Sequence, residues 1–117
     1  MNRLLLLAWL LLVPAAAWAG DDWPQFRGPD GQGHAPDATP PLAWSEQENV
    51  RWKTPLPGEG WSSPVVLDEQ IWMTTATDGG QSLRAVCVDR ETGSLRHDIE
   101  VFHVDQPERV NPKNSYA

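Results

Sequence analysis

Aromatic side chains are the first residues of this chain that could do chemistry, because an indole ring can stack on a sugar or on a quinone. The chain of 117 residues carries seven tryptophans. Trp9 and Trp18 lie in an apolar N-terminal run, and Trp72 lies in a strand-like segment where core packing accounts for it. The candidates for ligand contact are Trp23, Trp44 and Trp61. Packing is the favoured interpretation of each, and Trp61 could also line a binding face.

Patterns typical of metal ligands and nucleophiles are absent from the sequence. The three histidines, His34, His97 and His103, do not have H-x-H or H-E-x-x-H spacing. The loop from Asp30 to Asp37 lacks the ligand spacing of a calcium loop and is interpreted as a turn. Cys87 is the only cysteine, and it is predicted to be a small buried residue of a strand. The sequence therefore assigns no catalytic residue and no metal ligand, and leaves the cofactor-binding residues unknown.

The N-terminus, residues 1–19, is typical of a secretory signal peptide. One positive charge, Arg3, precedes an apolar run from Leu4 to Trp18, and the run ends in small residues that predict cleavage after Ala19. A membrane anchor is the alternative, but the run is shorter than the roughly 20 residues of a span. We expect an extracytoplasmic protein with no membrane span after cleavage. The net charge of −7 argues against nucleic acid and anionic lipid as partners.

The remaining chain divides into an irregular segment and a strand-rich one. Residues 20–48 are rich in proline and glycine, and we expect their large apolar residues to pin them onto a folded body; these are Trp23, Phe26, Leu42 and Trp44. Residues 49–117 contain strand-like runs joined by short connectors, which predict antiparallel neighbours. A first strand is predicted at Asn49–Leu56. A four-stranded meander follows, with strands near Ser63–Leu67, Ile71–Ala76, Leu83–Val88 and Leu95–Val101.

The turn between the last two predicted strands has its own chemistry. Asp89 is expected to accept hydrogen bonds from backbone N–H groups two and three residues further on. Thr92 can add to the same turn, and Gly93 is predicted to adopt the positive φ that closes it. The other hairpin turns are predicted at Asp68–Gln70 and Asp78–Gln81.

Two parts of the chain resemble each other. "NVRWK" at Asn49–Lys53 matches "SLRHD" at Ser94–Asp98, and "GWSSP" near Trp61 is similar to the final "NSYA". A period of about 40–50 residues with four strands is typical of a β-propeller blade. "CVDRETGSLRH" resembles the repeat of the pyrroloquinoline-quinone-type (PQQ-like) propellers, although His97 stands where that repeat has tryptophan. "DWPQFRGPDGQG" resembles the N-terminal segment of secreted bacterial members.

The resemblance implies an all-β chain with one four-stranded antiparallel propeller blade, preceded by a strand of a neighbouring blade. The propeller would be incomplete, and its remaining blades would be partners of this sheet. Trp52 would then pack between blades and lack a pocket within this chain. We expect the isolated Gly20–Ala117 polypeptide to be marginally stable, to aggregate through its edge strands and to bind no quinone.

Two functions follow from the resemblance as expectations. The first is an exported binding or scaffold module without assignable catalysis or cofactor, which could bind a protein or a small ligand on the face of the ring. The second is the N-terminal part of a quinoprotein dehydrogenase that holds PQQ and calcium. The calcium ligands, the acid/base carboxylates and the adjacent cysteines that the second function needs cannot be assigned in this sequence, so the first is preferred.

Overall fold

A computed structural model describes residues 22–36 and 38–117, and its regular structure is almost entirely β. The strands are β1 (Val65–Leu67), β2 (Gln70–Thr77), β3 (Ser82–Asp89) and β4 (Leu95–His103), with one 3₁₀ turn at Asp78–Gly80. The predicted signal peptide lies outside the described residues. Within those residues, no helix is long and apolar enough to cross a membrane.

The four strands form one antiparallel sheet in the order β1-β2-β3-β4. The predicted meander is therefore confirmed, with each strand within two residues of its expected bounds. The longest pairing joins β2 to β3, from Gln70 opposite Asp89 to Thr77 opposite Ser82. The β3–β4 ladder has two register irregularities, one between Leu83 and Arg84 and one between Cys87 and Val88. Such bulges twist and bend the edge of a sheet, here at β4.

The pairing register assigns side chains to the two faces of the sheet. Trp72, Cys87 and His97 are paired across three strands and share one face, which also carries the row of Ala76, Leu83 and Phe102. The opposite face carries Met73, Thr75, Arg84, Val86, Val88, Asp98 and Glu100. The two faces thus differ in chemistry, because only the second combines an apolar row with a row of charges.

The core of the described chain is small. Val86, Cys87 and Val88 on β3 are almost completely buried, and Ala76 on β2 is 7 % exposed. The buried residues therefore lie on the two central strands, while β4 is exposed along its whole length. A single sheet leaves the outer strands with little apolar contact, which limits the free energy gained on folding.

The predicted first strand, Asn49–Leu56, pairs with no strand among the described residues. The prediction places its partner in a neighbouring blade, so it stays a prediction. Residues 51–59 instead form an extended strap that runs along the sheet without a ladder. Burial alternates along the strap, with Trp52, Thr54 and Leu56 half-buried and their neighbours Arg51, Lys53 and Pro55 exposed. Leu56 and Met73 line the same cleft, so the middle of the strap lies beside β2.

The end of the strap and the residues that lead into β1 pair irregularly with β2. Glu59 exchanges two backbone hydrogen bonds with Ala76 of β2, at 3.0 and 2.8 Å. The hydroxyl of Ser62 then accepts from the backbone N–H of Thr74 and donates to its carbonyl, at 2.9 and 3.1 Å. The Ser62 hydroxyl thus takes the place of backbone pairing with Thr74. This explains why β1 begins at Val65 and not at the predicted Ser63.

The N-terminal segment is held to the sheet at fewer points than expected. Trp23 pairs with Val66 through two backbone hydrogen bonds of 2.9 Å, and its ring lies against Gly28. The expectation of pinning is confirmed for Trp23. It is wrong for Phe26, Leu42 and Trp44, whose exposed fractions are 66, 105 and 75 %. Proline-rich backbone forms few ladder hydrogen bonds, so the attachment consists of the Trp23–Val66 bridge and a hydrogen bond of 2.9 Å from the Asp68 backbone N–H to the Asp22 carboxylate.

Candidate functional site

The turn between β3 and β4 is built around one carboxylate, as the sequence predicts. Oδ1 of Asp89 accepts hydrogen bonds from the backbone N–H groups of Glu91 and Thr92, at 3.0 and 2.8 Å. It also accepts the hydroxyl of Thr92 at 2.9 Å. Gly93 has a φ of 70°, which confirms the predicted left-handed conformation. The Gly93 N–H also donates to the Asp89 carbonyl at 2.8 Å, which closes the turn.

The second oxygen of the same carboxylate binds a guanidinium. Nε of Arg96 donates to Oδ2 of Asp89 at 3.0 Å, and its Nη2 contacts the same oxygen. Arg96 also reaches Glu69 in the β1–β2 turn at 3.3 Å. The hydrogen bond from the Thr92 backbone, followed by that from Arg96, lowers the pKa of Asp89 from 3.8 to about 2. The ionised carboxylate therefore joins two turns at the same end of the sheet.

Acid should loosen this turn as Asp89 is protonated. The pKa of Asp89 is lower in the folded chain, so its contribution to stability is present above the ordinary pKa and is lost as pH falls from about 4 to about 2. Asp89→Asn removes this contribution at every pH, so its urea midpoint should change less across that range than the midpoint of the unmodified protein. Glu91→Gln, in the same turn but in an exposed ion pair, is the control. Parallel pH profiles for Asp89→Asn and the unmodified protein would contradict this role.

The strap docks onto this turn through the side chains of Trp52 and Thr54. Nε1 of Trp52 donates to the carbonyl of Arg90 at 2.9 Å, and the hydroxyl of Thr54 donates to the carbonyl of Gly93 at 2.6 Å. A Cβ atom placed on Gly93 would lie 2.5 Å from the Trp52 ring, so the indole packs directly on the glycine backbone. The expectation that Trp52 lacks a pocket within this chain is wrong, because the turn itself supplies a binding surface for the ring.

The side chains of one cross-strand row bury the cysteine. The rings of Trp72 on β2 and His97 on β4 are stacked, with centroids 5.6 Å apart and planes 11° from parallel. Cys87 lies between them in the register and is fully buried, as predicted. Burial raises the pKa of the Cys87 thiol, which disfavours the reactive thiolate. The row therefore packs the sheet, and His97 contributes its ring to it.

The other candidate residues do not come together. Trp44 and Trp61 are exposed by 75 and 73 %, whereas Trp23 is half-buried at the β1 edge. His34 and His103 contact carboxylates only, at Asp30 and at Glu100 and Asp105. Residues 22–36 and 38–117 contain no group of three His, Cys, Asp or Glu side chains that could hold a metal ion. The Asp30 loop is a turn in which Asp30 accepts the Gln32 N–H at 2.8 Å.

Strand β4 carries a second candidate site, an exposed apolar surface. Its large apolar residues are between 47 and 66 % exposed; they are Leu95, Ile99, Val101 and Phe102. Phe102 and Ile99 share the face of Ala85 and Leu83, whereas Leu95 pairs with Val88 on the opposite face. In the described part of the chain β4 pairs only with β3. Apolar groups on both faces of one strand indicate a sheet that is suited to being covered on both sides.

Sequence reasoning did not identify a cleft at the other end of the sheet. It has a volume of about 520 Å³ and lies between the β2–β3 turn and residues 110–116. Its two walls come from segments at least thirty positions apart, which no local motif connects. Comparisons of this chain with protein-family models, with curated proteins and with solved structures returned no match.

Proposed function

We propose that this chain is an exported structural module whose sheet packs between sheets of the same kind, in the manner of a PQQ-like β-propeller blade. Its role is that of a scaffold that binds neighbouring blades, with no catalysis and no bound quinone. The observation that carries the proposal is the apolar surface of β4, which offers Phe102 and Ile99 on one face and Leu95 on the other.

The docked turn supports the same proposal. Asp89, Thr92 and Gly93 form a rigid corner, and an extended strap with a tryptophan packs against it. A module that must present both faces to neighbours needs a sheet of fixed twist and fixed strand register. The closed turn and the strap provide this rigidity without covering the outer strand.

Radical footprinting of the native protein tests this packing. Phe102 and Phe26 are the only phenylalanines, and each is 66 % exposed in this structure. If other sheets cover β4, hydroxyl radicals should oxidise Phe102 several-fold more slowly than Phe26 in the native protein, and both should react alike in urea. Equal oxidation of the two rings in the native protein would show that β4 is uncovered and would overturn the proposal.

A further inference from the structure

The cleft at the β2–β3 end of the sheet has the size and walls of a ligand site. Its volume of about 520 Å³ lies within the range of roughly 300–1,000 Å³ that is common for small-molecule pockets. One wall is the turn Asp78–Gly80, and the facing wall is formed by residues 110–116, with Glu59 at the edge. The cleft is separated from the Asp89 turn by the length of strands β2 and β3.

The aromatic wall of the cleft is held in place by the turn. A Cβ atom placed on Gly80 would lie 2.6 Å from the ring of Tyr116, so the ring packs on bare backbone. Asp78, Gly79 and Gly80 all have positive φ, at 52, 65 and 93°. Aspartate and glycine are residues that tolerate this left-handed conformation, so the sequence of the turn suits the backbone that supports the ring.

The polar groups of the cleft are carboxylates, amides and hydroxyls. The carboxylates are Glu59 and Asp78, and the amides are Asn111 and Asn114. Three side chains make no hydrogen bond or ion pair among the described residues, namely Glu59, Asn114 and Tyr116, so their polar atoms are available to a ligand. The lining contains no arginine, lysine or histidine. Phosphate and carboxylate ligands would therefore find no opposite charge in the cleft.

We propose that this cleft binds a neutral carbohydrate. Sugar hydroxyls can donate to the carboxylates of Glu59 and Asp78 and accept from the amide of Asn114, while an apolar sugar face lies on an aromatic ring such as Tyr116. A calcium ion would instead need six to eight oxygens converging at about 2.3–2.6 Å, which a cleft of this width with two carboxylates does not gather. This proposal depends on the cleft alone and goes beyond the scaffold role, so the footprinting of Phe102 does not decide it.

Nuclear magnetic resonance titration of the full-length protein with maltose and with cellobiose tests the carbohydrate site. Saturable shifts are expected at residues 78–80 and 110–116 with at least one of the two sugars. Asp78→Asn should weaken binding about tenfold, because asparagine tolerates the left-handed backbone but removes the charged acceptor. Tyr116→Ala should abolish measurable binding. Asp105→Asn, a matched change of an exposed carboxylate outside the cleft lining, should leave the affinity unchanged.

Three results would overturn the carbohydrate proposal. The first is the absence of shifts in the cleft with either disaccharide, in a protein whose spectrum shows that the sheet is folded. The second is an Asp78→Asn variant that binds the sugar as tightly as the unmodified protein. The third is the same set of shifts produced by calcium chloride or by inorganic phosphate without any sugar, since this would assign the cleft to an ion.

Discussion

Replacing Gly93 with valine should lower the free energy of unfolding by about 3 kcal/mol, the sum of backbone strain and overpacking. Gly93 has a φ of 70°, where a β-branched residue is strained. In addition, its new Cβ would lie 2.5 Å from the Trp52 ring and 2.7 Å from the Thr54 hydroxyl oxygen. The strap would have to leave the turn, and urea unfolding followed by circular dichroism would measure the loss.

Gly79→Val is the matched control for this effect. Gly79 has a similar φ of 65°, but nothing lies within 4 Å of a Cβ placed there. It should cost only the strain, about 1–2 kcal/mol. In a Trp52→Ala background the excess cost of Gly93→Val over Gly79→Val should largely disappear, because the clash is with the indole ring. An equal cost of the two substitutions in the unmodified protein would show that Trp52 does not pack on the turn.

The meander was predictable from the sequence because its determinants are local. Alternating β-branched residues set the strands, and short polar connectors left only antiparallel pairing as an option. The Asp89 turn was equally predictable, because the accepting carboxylate, the donating N–H groups and the left-handed Gly93 lie within five positions. Such features need no knowledge of the rest of the chain.

The strap forms no ladder with the described strands, and its period-two burial does not require one. Trp52, Thr54 and Leu56 alternate with exposed neighbours as in a strand. Pro55 and Pro57 remove N–H donors from this segment, so the extended backbone lies against the sheet through side chains instead.

The exposure of Trp44 and the existence of the cleft could not be read from the sequence. Burial of a loop aromatic depends on where the loop lies, and Trp44 lies in a loop that leaves it 75 % exposed. The cleft joins Glu59, Asp78 and Tyr116, which are separated by 19 and 38 positions. Only the fold brings such groups together, and no spacing in the sequence marks them.

Replacing Phe102 with aspartate shows whether neighbouring sheets cover this module. A covered position would bury an unpaired carboxylate, which should lower the free energy of unfolding of the native protein by about 3 kcal/mol or more. Trp44→Asp, at an exposed position outside the sheet, should change it by less than about 0.5 kcal/mol. If neighbouring sheets cover β4, urea unfolding should show the large loss for Phe102→Asp. A loss of about 1 kcal/mol or less, as expected from strand propensity alone, would contradict it.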